Sequence, residues 1–150
     1  MQLNRAKSKE ITFVDRRRKS KAPEPTTLPE VTHVKSLKIL GVTLSTALSA
    51  SDHVRDVIRN SSQTLHALWV LRAHGMPDDV LQLVYHSVIV GRLLYTSCAW
   101  SGFVSAADRK RVDAFLCRSK RCGFCPTDLP TFDDLPVSYT HLTLPTILRV

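Results

Sequence analysis

Residues 9–14, Lys-Glu-Ile-Thr-Phe-Val, combine β-branched and aromatic side chains with Ile11 and Phe13 on one face, which predicts a strand. From Asp15 to Glu30 a basic run is followed by Pro23, Pro25 and Pro29, which oppose both helix and central strand, so a loop is expected. Val31–Val34 and Leu37–Leu44 read as two strands joined tightly at Lys35-Ser36, with Gly41 marking a bulge or a close backbone approach.

The apolar period then changes to that of helices. Val54, Val57, Ile58, Leu65, Leu68 and Leu71 fall near one face of a helix from about Ser51 to His74, which Gly75 ends. A second helix opens at Pro77, with Asp78 and Asp79 complementing its dipole, and runs to about Thr96. Its apolar residues nearly encircle it, which predicts the central and most buried helix. The third begins at Ser105-Ala-Ala-Asp108, a capping-box pattern with Asp in place of Glu. It should bury Val112, Phe115 and Leu116 and turn Arg109, Lys110, Arg111, Arg118 and Arg121 outward. The fold class expected is α+β: an N-terminal strand and β-hairpin, then a bundle of about three helices. Trp69, Tyr85, Tyr95, Trp100 and Phe103 sit at or beside helical apolar positions and are read as core.

Charge adds a partner class. The chain has 150 residues, enough for one domain with a core, and carries a formal charge of +8. Two blocks hold much of it: Arg5, Lys7, Lys9, Arg16, Arg17, Arg18, Lys19 and Lys21 in the first, and Arg109, Lys110, Arg111, Arg118, Lys120 and Arg121 in the second. Separated basic blocks suit a polyanion, because each cation that meets a phosphate releases a counterion; a solvated helix face and loop give the same pattern. No apolar run reaches the length of a membrane span, no secretory signal is evident, and Arg16–Lys21 could serve as a nuclear localisation signal. An intracellular site, cytoplasmic or nuclear, is expected, with reduced cysteines.

Candidate chemistry is thin. Asp78-Asp79 is explained by helix capping. Phe132-Asp133-Asp134 offers a second pair of carboxylates, the donor type a two-metal site requires, and does not convince as one. Cys122-x-x-Cys125 is the one well-spaced metal-type pair; Cys117 falls inside a helix and His141 near the end, so no cofactor is expected, and Cys98 is read as core. No glycine loop is spaced to cradle phosphate.

Several short motifs do recur together in one family. Leu3-Asn-x-x-Lys-Ser8, Lys38-Ile-Leu-Gly-Val42, His53-Val54, Leu65-His-Ala-Leu68, Leu71-Arg-Ala-His-Gly-Met76, Leu94-Tyr95 with Ala99-Trp100, and Arg121-Cys-Gly-Phe-Cys125 follow in order over roughly residues 1–135. This series resembles the end of the palm and the following segment in reverse transcriptases of non-LTR, jockey- or LINE-like retrotransposons. The resemblance implies that residues 1–48 are the end of the palm with a primer-grip-like hairpin, and that residues 49–135 are a helical thumb. It implies that Lys7 assists the leaving pyrophosphate, and that Lys38 and Gly41 belong to the primer grip. The partner implied is an RNA/DNA template–primer, held through its backbone without reading sequence. Both Asp-Asp pairs follow the Asn-x-x-Lys-Ser motif, whereas the family's metal-binding pair precedes it. The chain is therefore expected to be an inactive fragment of an RNA-directed DNA polymerase, with Mg²⁺ and the rest of the enzyme belonging upstream. A stand-alone basic helical module that binds nucleic acid or protein is the alternative.

Residues 136–150 fit neither the pattern nor the family. They are similar to a peptide produced when sequencing-library adapter is translated in frame, and are expected to be a non-native, unstructured tail.

Overall fold

The fold, taken from a computed structural model, is described for residues 8–13, 31–95 and 97–137. Lys7, the proline-rich loop, most of the first basic block and residues 138–150 lie outside these residues.

Strand β1 (Lys9–Glu10) pairs in parallel with β2 (Thr32–His33), and Val34 N–H adds a 2.8 Å bond to Glu10 O. The strand expected over 9–14 is thus only two residues long, and Phe13 is exposed. Strands β3 (Ser36–Ile39) and β4 (Val42–Ser45) form an antiparallel hairpin with Ile39 opposite Val42. The single strand expected at Leu37–Leu44 is therefore two strands folded back on each other. Leu40 and Gly41 are its two-residue turn, with φ of 47° and 87°. Positive φ at both central positions belongs to the type I′ turn, whose twist matches that of the strands it joins. Gly41 is a turn residue and not a bulge; the close approach expected there is present, as described below.

Helix α1 (Ser51–Ala73) is the hub, touching β4, α5 and the whole of the helical run that follows it. It ends in a Schellman motif: Gly75 N–H bonds Arg72 O at 3.0 Å, Met76 N–H bonds Leu71 O at 3.1 Å, and Gly75 takes φ of 87°. The second helix opens at Asp78, with Pro77 as its N-cap, and runs as α2 (Asp78–Val84), a π-helical segment (Tyr85–Val90) and α3 (Gly91–Leu94). It was expected to be central. Instead one side is buried through Leu81, Tyr85, Ile89, Val90 and Leu93, while Leu83 is 69% exposed and Val80 and Val88 are also open. Leu83 lies about 200° around the helix from Leu81, so apolar residues that encircle the axis cannot all meet α1.

After α4 (Ser97–Trp100) and a 3₁₀ turn (Ser101–Phe103), α5 (Ala106–Arg121) closes the fold. Val112, Phe115 and Leu116 are buried as expected. A second Schellman motif ends it, with Gly123 N–H to Lys120 O at 2.9 Å and Phe124 N–H to Ser119 O at 3.2 Å. The following segment has no predicted element, yet Phe124, Cys125, Leu129, Phe132 and Leu135 are all buried in the core. Trp100 is fully buried between Phe132, with ring centroids 5.3 Å apart, and the edge of His53 at 5.1 Å. Its indole N–H bonds Tyr95 O at 3.0 Å. Among the described residues, no helix is long and apolar enough to cross a membrane.

Two contacts set the direction of α5 against α1. Near their starts, Ser51 donates to Asp108 Oδ2 at 2.6 Å; at their ends, Arg72 Nη1 donates to the Cys122 carbonyl at 2.6 Å. The helices therefore run parallel and side by side.

Candidate nucleic-acid interface

Three places on this framework bear on the expected site: the hairpin tip, the cations of α5 and the groove between α1 and α5.

At the tip, Leu40 is 82% exposed and Lys38 and Gly41 are exposed beside it. Tyr95, just past α3, donates its hydroxyl to Leu40 O at 3.3 Å. A Cβ on Gly41 would stand 3.2 Å from Tyr95 Cε1, tighter than most contacts of that kind. The bare backbone of Gly41 thus lets the turn lie against the ring. Burial lowers the pKa of the His53 imidazole, the Asp56 charge opposes it, and the Lys38 charge adds a smaller lowering.

The six basic residues of α5 do not form one outward face. Arg109 binds the Asp133 carboxylate and donates to Ser101 O at 3.1 Å, and Lys120 Nζ donates to Leu129 O at 2.5 Å. Between them, Asp113 accepts the Phe132 N–H at 2.9 Å. This flank of the helix clasps the segment after α5, so the expectation that Arg109 points outward is corrected. Its side chain is engaged because the buried Phe132 brings Asp133 over it. Arg111 and Arg118, two turns apart on the opposite flank, line the groove toward α1. Lys110 and Arg121 lie on the outer face, exposed, with no ion pair or hydrogen bond among the described residues.

Asp108 anchors this helix. Ser105 accepts from the Asp108 N–H at 3.1 Å and donates to its Oδ2 at 2.6 Å, the same oxygen that Ser51 binds; Arg111 Nη1 reaches Oδ1 at 3.2 Å. Asp is too short for the reciprocal bond of a capping box, and its carboxylate bridges the N-termini of two helices instead. Burial pushes its pKa upward, but the bonds from Ser105, Ser51 and Arg111 outweigh burial and hold it below the ordinary value.

The groove has a volume of about 230 Å³ and is lined by Ile58, Ser62, Arg111, Ala114, Phe115 and Arg118. Trp69 lies two turns beyond Ser62 on the same side of α1. It is 60% exposed, contrary to the expected core position, and His66 stacks parallel to it with ring centroids 6.5 Å apart. Tyr95 and Phe103, also read as core, are exposed too, whereas Tyr85 and Trp100 are buried. The signal in the sequence was the angular position of Trp69, off the stripe marked by Val54, Val57 and Leu68.

Three of the four residues in the Asp-Asp pairs have partners. Asp78 pairs with Arg72 at 3.1 Å, Asp133 with Arg109, and Asp134 accepts the Thr131 hydroxyl at 2.7 Å. Cys117 and Cys122 are exposed and Cys125 is buried, its pKa raised by that burial. Among the described residues, no group of three or more His, Cys, Asp or Glu could hold a metal ion.

No protein-family model, no curated protein and no solved structure matches this chain.

Proposed function

We propose that the chain is the palm end and thumb of a non-LTR retrotransposon reverse transcriptase, contributing template–primer binding to an RNA-directed DNA polymerase. The observation that carries this reading is the hairpin tip: Lys38, Leu40 and Gly41 project from a two-residue turn held on Tyr95, directly ahead of the helical bundle in the chain. A grip on a primer end requires such a backbone-led projection, and a thumb requires cations on the helices behind it. The resemblance of the ordered motifs supports the same assignment. Mg²⁺ belongs to the parent reaction; in this chain Asp78 pairs with Arg72, Asp133 with Arg109, and Asp134 accepts from Thr131. This reading assigns metal binding and nucleotide addition to a part of the enzyme ahead of the Asn-x-x-Lys-Ser motif.

Contacts by Lys38, Lys110, Arg111, Arg118 and Arg121 are with phosphates, so binding is sequence-independent and salt-sensitive. The test is fluorescence anisotropy on RNA–DNA hybrids of unrelated sequence from low to physiological salt. About five phosphate contacts give a log K against log salt slope of roughly −4 to −5. Binding that ignores salt, or that strongly prefers one sequence, would sink the proposal in favour of a stand-alone protein-binding module.

A further inference from the structure

We infer that the groove between α1 and α5 holds a short stretch of single-stranded nucleic acid, with an unpaired base stacked on Trp69 and phosphates of the same strand on Arg118 and Arg111. The inference rests on the proposed nucleic-acid role and adds to it a strand state and a stacking residue.

The geometry follows from the parallel course of the two helices. Ser62 and Trp69 are seven residues apart on α1, and Arg111 and Arg118 are seven apart on α5. Each pair spans about 10.5 Å at the helical rise of 1.5 Å per residue. The α1 edge of the groove bears Ser62 and its α5 edge two guanidinium groups, and the exposed indole of Trp69 stands on the same side of α1, about 10.5 Å further along the helix. Arg111 is held toward the groove by Asp108 at 3.2 Å, while Arg118 has no ion pair among the described residues.

The indole's surroundings explain why a base suits it. Its exposure leaves a large apolar ring in water, and His66 lies nearly parallel to it, at an interplanar angle of 16°. Exposed rings beside a basic groove are the platform that single-strand binders use, because every base offers a π-face and every linkage a negative charge. A duplex keeps its bases stacked inside, so it could meet the arginines but not the indole. The chain's charge of +8 supplies the complementarity to a polyanion.

Tryptophan emission provides the test, since Trp69 is exposed and Trp100 is fully buried. The intact chain is titrated at low salt with oligo(U) and oligo(dT), with an RNA–DNA hybrid, with an abasic oligonucleotide of equal charge, and with poly-Glu. Oligo(U) and oligo(dT) should quench the emission, and Trp69→Phe should remove that quenching while leaving binding by anisotropy nearly unchanged. Trp69→Ala should weaken single-strand binding about tenfold or more, within the range for loss of one base–aromatic stack, and leave hybrid binding unaltered. Arg118→Gln should weaken both. Equal quenching by the abasic strand or by poly-Glu, or single-strand affinity unaffected by Trp69→Ala, would overturn the inference. If the hybrid still binds in those cases, the thumb reading stands without it. If neither strand state binds, the proposed function fails as well.

Discussion

The guanidinium of Arg72 lies 4.0 Å above the centre of the Phe124 ring, and from that position it reaches two carbonyls at the end of α5. Its nitrogens donate to Cys122 O at 2.6 Å and Gly123 O at 3.3 Å, and it pairs with Asp78 at 3.1 Å. One side chain thus joins the end of α1, the start of α2 and the C-terminal turn of α5, where cations also complement the helix dipole. Arg72→Ala should destabilise the fold by about 2 kcal/mol, as the sum of a partly exposed cation–π contact and charge-assisted bonds. Arg72→Lys should recover less than half, because an ammonium cannot reproduce the planar fork. Urea unfolding of the three proteins measures both values; equal stability of Arg72→Ala and wild type would contradict the role assigned.

Acid should weaken the fold in two steps. The pKa of His53 is lowered chiefly by burial, so the unfolded chain binds its proton more readily, and stability falls as pH drops below about 6.5. The pKa of Asp108 is also lowered, so its stabilisation is present above about pH 3.9 and is lost as pH falls through its folded value. His53→Phe should flatten the first step and leave the second. Asp108→Asn should remove the second and lower stability at neutral pH by about 1–2 kcal/mol, through loss of charge-assisted bonds to Ser51, Ser105 and Arg111. Thermal midpoints recorded from pH 8 to pH 3 provide the check.

The hairpin turn is open to improvement at one residue and closed to change at the next. Leu40 occupies a left-handed conformation that costs a branched side chain about 1 kcal/mol, and it is exposed, so Leu40→Asn should raise stability by up to that amount. Gly41→Ala should lower it by about 1–2 kcal/mol, since φ is 87° and the new methyl would press on Tyr95. Gly41→Ala in a Tyr95→Ala background should cost less, because the crowding term disappears. A double-mutant cycle by thermal unfolding reads the difference.

The cations of α5 should separate by experiment as they separate in space. Lys110→Ala with Arg121→Ala should leave the thermal midpoint within a degree or two and reduce the salt slope of hybrid binding by about 1–2. Arg109→Ala with Lys120→Ala should lower the midpoint clearly, because the segment carrying Leu129 and Phe132 loses its ties to Asp133 and the Leu129 carbonyl. The same two changes should alter the salt slope little. A reversed outcome would return Arg109 and Lys120 to the binding face.

The sequence by itself determined the elements whose signals are local. Gly75 ends α1 because its missing Cβ permits the positive φ that a Schellman turn requires. Ser105 caps α5 because its hydroxyl reaches the Asp108 N–H within one turn. The stripe of Val112, Phe115 and Leu116 faces the core because helical spacing puts those residues on one side. Long-range packing decided the rest. Leu37–Leu44 carries the same apolar pattern as one strand or as a folded pair, and contact of the Leu40-Gly41 turn with Tyr95 accompanies the second. The chemistry of Arg109 and Arg111 is identical, and they lie two residues apart. Position around the helix gives one to Asp133 and the other to the groove, because partners from residues 51–62 and 129–135 meet α5 on opposite flanks. Trp69 reads as core by its chemistry although its position around α1 lies off the stripe of Val54, Val57 and Leu68, and the seating of α1 against α5 and the α2–α3 run leaves it in solvent.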